Sequence, residues 1–146
     1  MSDARSPRAL AALVFGAGTG SLATEIAASR LIAPYFGSST IVWANLIGVV
    51  LAALAAGYWL GGRVADRRPE PRLLGAIVSA AAAYVAVTPF VARPFLDLTV
   101  KELDQASAGA AIGSFFAVVL LFAPAVVLLG AVAPFAIRLA LTDVAS

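Results

Sequence analysis

Cysteine and histidine are both missing from this 146-residue chain. Without cysteine there is no disulfide framework and no thiolate metal site. Without histidine there is no imidazole-based triad and no His-ligated metal, so no metal or cofactor site is expected. Charge is scarce too: 12% of residues are charged, where an ordinary soluble domain has about 25%. So little charge cannot cover a globule of this size with polar surface, which excludes a typical soluble enzyme and a disordered tail. The pI near 9.5 reflects a net charge of only +2, too small for a nucleic-acid footprint, so no nucleic-acid partner is expected. What is abundant is apolar: 62% of residues are hydrophobic and the mean hydropathy is +0.97. The class left standing is a membrane protein whose first partner is the lipid bilayer.

The charges leave long gaps. No charged residue occurs at 9–24, 31–62, 73–92 or 105–137. A hydrocarbon core needs about 20 predominantly apolar residues per helix. The pattern predicts an all-α, polytopic helical bundle filling 1–146 as a single membrane domain, with four transmembrane helices at about 9–29, 40–60, 73–92 and 108–129. No soluble catalytic domain is expected. Helix is the expected element because unpaired backbone groups in hydrocarbon cost several kcal/mol each. The last gap is too long for one straight span and too short for two. Pro124, Gly130 and Pro134 predict a bend near Pro124, a break around 130–134 and a short terminal helix at about 134–142. The first apolar run is long for a signal peptide and Glu25 sits beside the would-be cleavage site, so it is expected to be a retained helix.

An even number of spans puts both termini on one side. That side holds Arg5, Arg8, Arg63, Arg67, Arg68, Arg72 and Arg138; the other holds Arg30, Arg93 and Lys101. The positive-inside rule then predicts cytoplasmic termini and residence in the inner or plasma membrane. Tyr35, Phe36 and Trp43 at the outer level, with Tyr58 and Trp59 at the inner level, fit the headgroup preference of aromatic rings. The outer connection, 93–105, carries balanced charges among apolar residues and is expected as a short amphipathic surface helix.

Small residues recur at helical spacing. Gly16 and Gly20, Gly48 with Ala52 and Ala56, Gly57 and Gly61, and Gly109 with Gly113 and Ala117 form faces on which helices pack closely. The Gly16–Gly18–Gly20 cluster imitates a nucleotide loop but lacks the acidic residue and second strand that such a site needs.

Glu25 is the sharpest single residue. A carboxylate inside a span needs a polar partner, a cation or a proton. It is therefore a candidate proton or cation site facing a cavity, with Ser29, Asn45, Tyr35 and Tyr58 as further polar groups. A plainer reading pairs it with Ser29 one turn on or with Asn45 of the next helix.

The stretch Gly62-Arg63-Val64-Ala65-Asp66-Arg67 resembles the loop between the second and third helices of major facilitator transporters. There the Asp pairs with basic groups and a helix terminus and so controls a conformational change. The resemblance makes Asp66, Arg67, Arg63 and Arg72 a candidate gating loop, with Pro69 where that family usually has Gly.

A longer resemblance covers most of the chain. It is carried by Glu25, Ser29-Arg30-Leu31-Ile32-Ala33-Pro34-Tyr35-Phe36-Gly37, Val42-Trp43, Ile47-Gly48-Val49, Gly57-Tyr58, Gly61-Gly62-Arg63 and Ala65-Asp66-Arg67, with Gly130, Pro134-Phe135-Ala136 and Arg138-Leu139. The sequence resembles the N-terminal membrane region of spermidine synthase-like proteins, fused major-facilitator/spermidine synthase proteins. That likeness implies part of a major-facilitator half, set beside a Rossmann-like aminopropyltransferase domain. Residues 1–146 hold no such domain, so no enzyme activity is expected of them. The expected role is a non-catalytic membrane domain that anchors, oligomerises or handles a polyamine-like cationic metabolite, its partner a second copy or an aminopropyltransferase-like domain. Two alternatives stand: a small four-helix proton-coupled cation exporter using Glu25, and a structural packing module.

Overall fold

The computed structural model describes residues 6–103 and 109–144. They form five helices: α1 (Pro7–Phe36), α2 (Thr40–Arg67), α3 (Pro71–Leu103), α4 (Gly109–Leu121) and α5 (Ala123–Val144). Arg5 and residues 104–105, which entered the charge count and the outer connection, lie outside the described residues.

Local chemistry sets most boundaries. Ser6 caps α1, its hydroxyl accepting from the Ala9 amide at 3.2 Å, and Pro7 opens the helix where its missing N–H is harmless. The helix ends at Gly37, whose φ of 75° is the left-handed conformation that favours glycine; its amide donates to the Ala33 carbonyl at 2.9 Å. Ser39 caps α2 through the Val42 amide. Pro69 and Pro71 close off α2 and start α3, and the Glu70 carbonyl accepts from the Leu73 and Leu74 amides.

Three helices are longer than the charge gaps alone predict. α1 continues through Arg30 and Pro34 to Phe36, α2 reaches Arg67, and α3 runs to Leu103. Residues 93–103 are therefore the last turns of α3 and not a separate surface helix. At about 1.5 Å per residue, Arg8 and Arg30 lie roughly 33 Å apart along α1, and Arg72 and Arg93 roughly 32 Å apart along α3. A hydrocarbon core is about 30 Å thick, so the stretch between the two arginines of each helix matches it, with Glu25 inside the α1 stretch, and the remaining turns are long enough to extend past it.

The fourth crossing differs most from expectation. The helix is interrupted at Phe122, just before Pro124, and then runs unbroken through Gly130 and Pro134 to Val144. The predicted bend near Pro124 is there; the predicted break at 130–134 and the separate helix at 134–142 are not. The long apolar helix at this end is Ala123–Leu141, and Gly109–Leu121 is a shorter apolar helix. Together with α1, α2 and α3 this gives, among the described residues, four helices long and apolar enough to cross a membrane.

The bundle is inverted relative to a water-soluble one. Its interior is rich in small side chains: Ala28, Ala53, Gly57, Gly61, Ala65, Ala92, Ala117, Ala131 and Ala136 are buried. Its surface carries the bulky ones, with Phe15 77% and Phe90 81% exposed. That distribution suits lipid, where close backbone approach supplies contact energy and large apolar side chains are at home outside. Among the described residues the core falls into two clusters. One joins Ile32 and Phe36 of α1, Val42 and Leu46 of α2, Leu96 of α3 and Ala117, Val118 and Phe122 of the fourth crossing. The other joins Leu10, Ala65, Leu74, Phe135 and Leu139. The start of α1, the α2–α3 connection and the last turns of α5 thus meet at one end of the bundle.

The α5 helix runs down the middle, touching α1, α2 and α3. Its tightest partner is α2, on which a Cβ at Gly57 would fall against the Val127 carbonyl oxygen. One at Gly61 would lie 2.6 Å from both the Cα and the carbonyl oxygen of Ala131. The first helix rests on α5 far more than on its sequence neighbour α2.

Candidate functional site

Polar side chains inside the bundle mostly bond to their own helix. The hydroxyls of Thr24, Ser29, Thr88 and Thr99 donate to the carbonyls of Gly20, Ile26, Tyr84 and Phe95 at 2.7–2.8 Å. No carbonyl is taken from a partner by these bonds, and each hydroxyl is satisfied without water. Asn45 and Tyr84 instead bond across helices. The Asn45 amide donates to the Ala111 carbonyl at 2.8 Å and to the Ser114 hydroxyl at 3.0 Å, tying α2 to α4. Tyr84 donates to the Leu120 carbonyl at 2.5 Å, tying α3 to α4.

Glu25 stands apart. It is half-buried and makes no hydrogen bond or ion pair among the described residues. The pairing expected with Ser29 or Asn45 is not found. Ser29 bonds to Ile26, whose carbonyl lies on the same turn and within easy reach, and the Asn45 amide is held by α4. Glu25 lies five positions before Arg30, roughly 7.5 Å along the axis, among the apolar residues of α1. Because α1 extends to Phe36, this acid lies well inside the helix and not at its end.

The other candidate groups are dispersed. Tyr35 packs against the core cluster at the Phe36 end, Tyr58 is exposed on the other half of the bundle, and Asn45 lines an open groove of about 390 Å³ between α2 and the fourth crossing. Glu25, Ser29, Asn45, Tyr35 and Tyr58 do not converge on one pocket. The residues named for the gating loop also separate; Arg63, Asp66 and Arg67 lie in the last turns of α2 and Arg72 in the first turn of α3. Asp66 pairs with Arg138 of α5, 3.1 Å from carboxylate oxygen to Nε, and both side chains are about half open to solvent or more (65% and 49%). The Arg63 guanidinium lies 4.2 Å from the centre of the Trp59 ring, one turn earlier on α2. Arg67 and Arg72 are exposed.

The predicted packing glycines divide likewise. Gly57 and Gly61 meet α5, Gly20 approaches Leu129, and Gly109 and Gly113 are buried. Gly16 and Gly48 have open space where a side chain would be. No group of three or more His, Cys, Asp or Glu side chains suited to a metal ion occurs among the described residues.

Sequence reasoning missed Ser114, Tyr84 and a cavity. Ser114 is fully buried and Asn45 donates to it. The cavity, about 180 Å³, is lined by Thr24, Ala27, Leu31, Val85, Thr88, Pro89, Leu121, Phe122 and Ala125. It lies between α1, α3 and the interruption of the fourth crossing, on the turn of α1 next to Glu25. Its lining is apolar because both threonine hydroxyls turn back to their own helices. Only Pro124 signalled this region in the sequence.

Among the described residues the chain is an all-helical bundle with four helices long and apolar enough to cross a membrane. No protein-family model matches it, and no curated protein and no solved structure matches it either.

Proposed function

We propose that this chain is the membrane domain of a spermidine synthase-like protein, multi-pass in the inner or plasma membrane with both termini cytoplasmic. It is not itself catalytic. It anchors and oligomerises, and it offers a cationic, polyamine-like metabolite a carboxylate within the apolar depth of the bundle. The observation that carries this reading is Glu25: a carboxyl between Arg8 and Arg30 in the predominantly apolar part of α1, with no partner among the described residues. In a medium of low dielectric such a group is stabilised by a proton or by a cation brought to it. The excess of arginine at the end where Leu10, Ala65 and Leu139 meet supports the orientation. At that end Asp66 and Arg138 tie the last turn of α2 to the last helix, a suitable footing for an aminopropyltransferase-like domain.

The test is binding of radiolabelled spermidine to the chain in lipid nanodiscs. Glu25→Gln should weaken it about tenfold or more, the range of a charge-assisted hydrogen bond. Equal binding by both proteins would refute the role of Glu25.

A second reading is a proton-coupled exporter of a lipophilic cation. It is favoured by the position of Glu25 within α1, away from the helix end. Proteoliposomes separate the two: cation flux driven by a pH gradient and abolished by Glu25→Gln supports the exporter, whereas binding without flux supports the membrane domain.

A further inference from the structure

Pro124 has no N–H, so the carbonyl four residues earlier, on Leu120, loses its helical donor. On either side the backbone ladder is intact: the Phe122 amide donates to Val118 at 3.0 Å and the Val126 amide to Phe122 at 3.1 Å. At the joint the Phe122 and Val126 bonds carry the ladder across, and the carbonyl freed by Pro124 accepts instead from the Tyr84 hydroxyl of α3. The two segments that meet there are held by different contacts, and α4 also buries Ser114, Ala117 and Val118 in the core. α5 is locked to α2 by backbone contact at Gly57 and Gly61. α4, within the described residues, makes side-chain hydrogen bonds to other helices at two places, Asn45 and Tyr84. The 180 Å³ cavity abuts the joint through Leu121, Phe122 and Ala125, leaving room on the α1–α3 side.

We propose that Phe122–Pro124 is a hinge on which α4 swings against a rigid α2–α5 pair, with the Tyr84–Leu120 hydrogen bond as its latch. Breaking that bond leaves an unpaired carbonyl in an apolar setting, so the latch biases the hinge without immobilising it. Interhelical hydrogen bonds of this kind are weak enough in lipid to exchange, about a threefold bias on average.

The absence of cysteine allows a direct test, since introduced thiols have no background. Spin labels at Ile112→Cys on α4 and Ile137→Cys on α5 span the hinge, both positions being exposed. Labels at Ile47→Cys on α2 and Ile137→Cys span the rigid pair. In nanodiscs the hinge pair should give a broader distance distribution than the rigid pair. Tyr84→Phe should raise the minor distance about threefold. Pro124→Ala restores the backbone donor to Leu120 and should narrow the distribution; in that background Tyr84→Phe should have no further effect. Helicity by circular dichroism checks that each variant is folded, and Tyr84→Phe removes a single oxygen. Equal widths for the hinge and rigid pairs, or a Tyr84→Phe effect as large in the Pro124→Ala background as in the parent, would overturn the hinge.

Discussion

The α2–α5 contact gives the sharpest stability prediction. Replacing Gly61 by Ala adds one methyl group, and its Cβ would sit 2.6 Å from the Cα and the carbonyl oxygen of Ala131. Both are backbone atoms, so no rotamer change relieves the clash. An ordinary contact begins at 3.4 Å, so the helices must separate by roughly 0.8 Å at the crossing. A gap of about 0.5–1 Å forfeits about a quarter to a half of each dispersion contact along it, and overpacking a filled site costs about 1–3 kcal/mol. Since α5 also carries α1 and α3, the upper half of that range is expected, about 2–3 kcal/mol. The assay is reversible unfolding in mixed micelles as the SDS fraction rises, followed by circular dichroism. Gly16→Ala and Gly48→Ala are the controls, because a Cβ there meets nothing within 4 Å; both should stay within about 0.5 kcal/mol of the parent. A Gly61→Ala protein as stable as these controls would refute the close crossing.

Two further outcomes follow from the hydrogen bonds and the ion pair. Asn45→Ala should destabilise the bundle by about 0.6–1.7 kcal/mol, and Asn45→Ala with Ser114→Ala should cost less than the sum of the single changes; full additivity in the same unfolding assay would count against the α2–α4 link. Asp66→Asn should lower stability by no more than about 1 kcal/mol, because the pair with Arg138 is open to solvent; the swap of Asp66→Arg with Arg138→Asp should recover most of the loss at low salt, and a loss unaffected by the swap would deny the pairing.

Much of the architecture was legible because hydropathy needs no tertiary information. Charge gaps marked four crossings, and Pro124 marked the interruption of the last. Helix ends were harder. Arg30 and Pro34 end the apolar run of α1 but not the helix, since a helix that has left the hydrocarbon still bonds its own backbone. Pro134 looked like a breaker, yet an actual break there would orphan several backbone groups at once, whereas a continuous helix loses a single donor. Helix faces were the least legible. When every flank is apolar, periodicity cannot say which one turns inward: Gly57 and Gly61 meet α5 while Gly48 looks out. The partner of Asn45 was equally hidden, because Ser114 sits in a second helix at a separation that no local pattern encodes. The depth of Glu25 could be read from the charge gaps around it, but its lack of a partner among the described residues depends on where Ser29 and Asn45 turn, which only tertiary packing decides.

The dependence of α1 on α5 has a bearing on biogenesis. Helices of such chains enter the bilayer in the order in which they are synthesised. The first has little to grip on the second and must wait for α5, which begins at Ala123, long after α1 ends at Phe36. Until then α1 lacks the helix on which it rests most. The step that commits the assembly is the arrival of α5, so premature termination within it should leave an inserted but unassembled polypeptide exposed to membrane quality control.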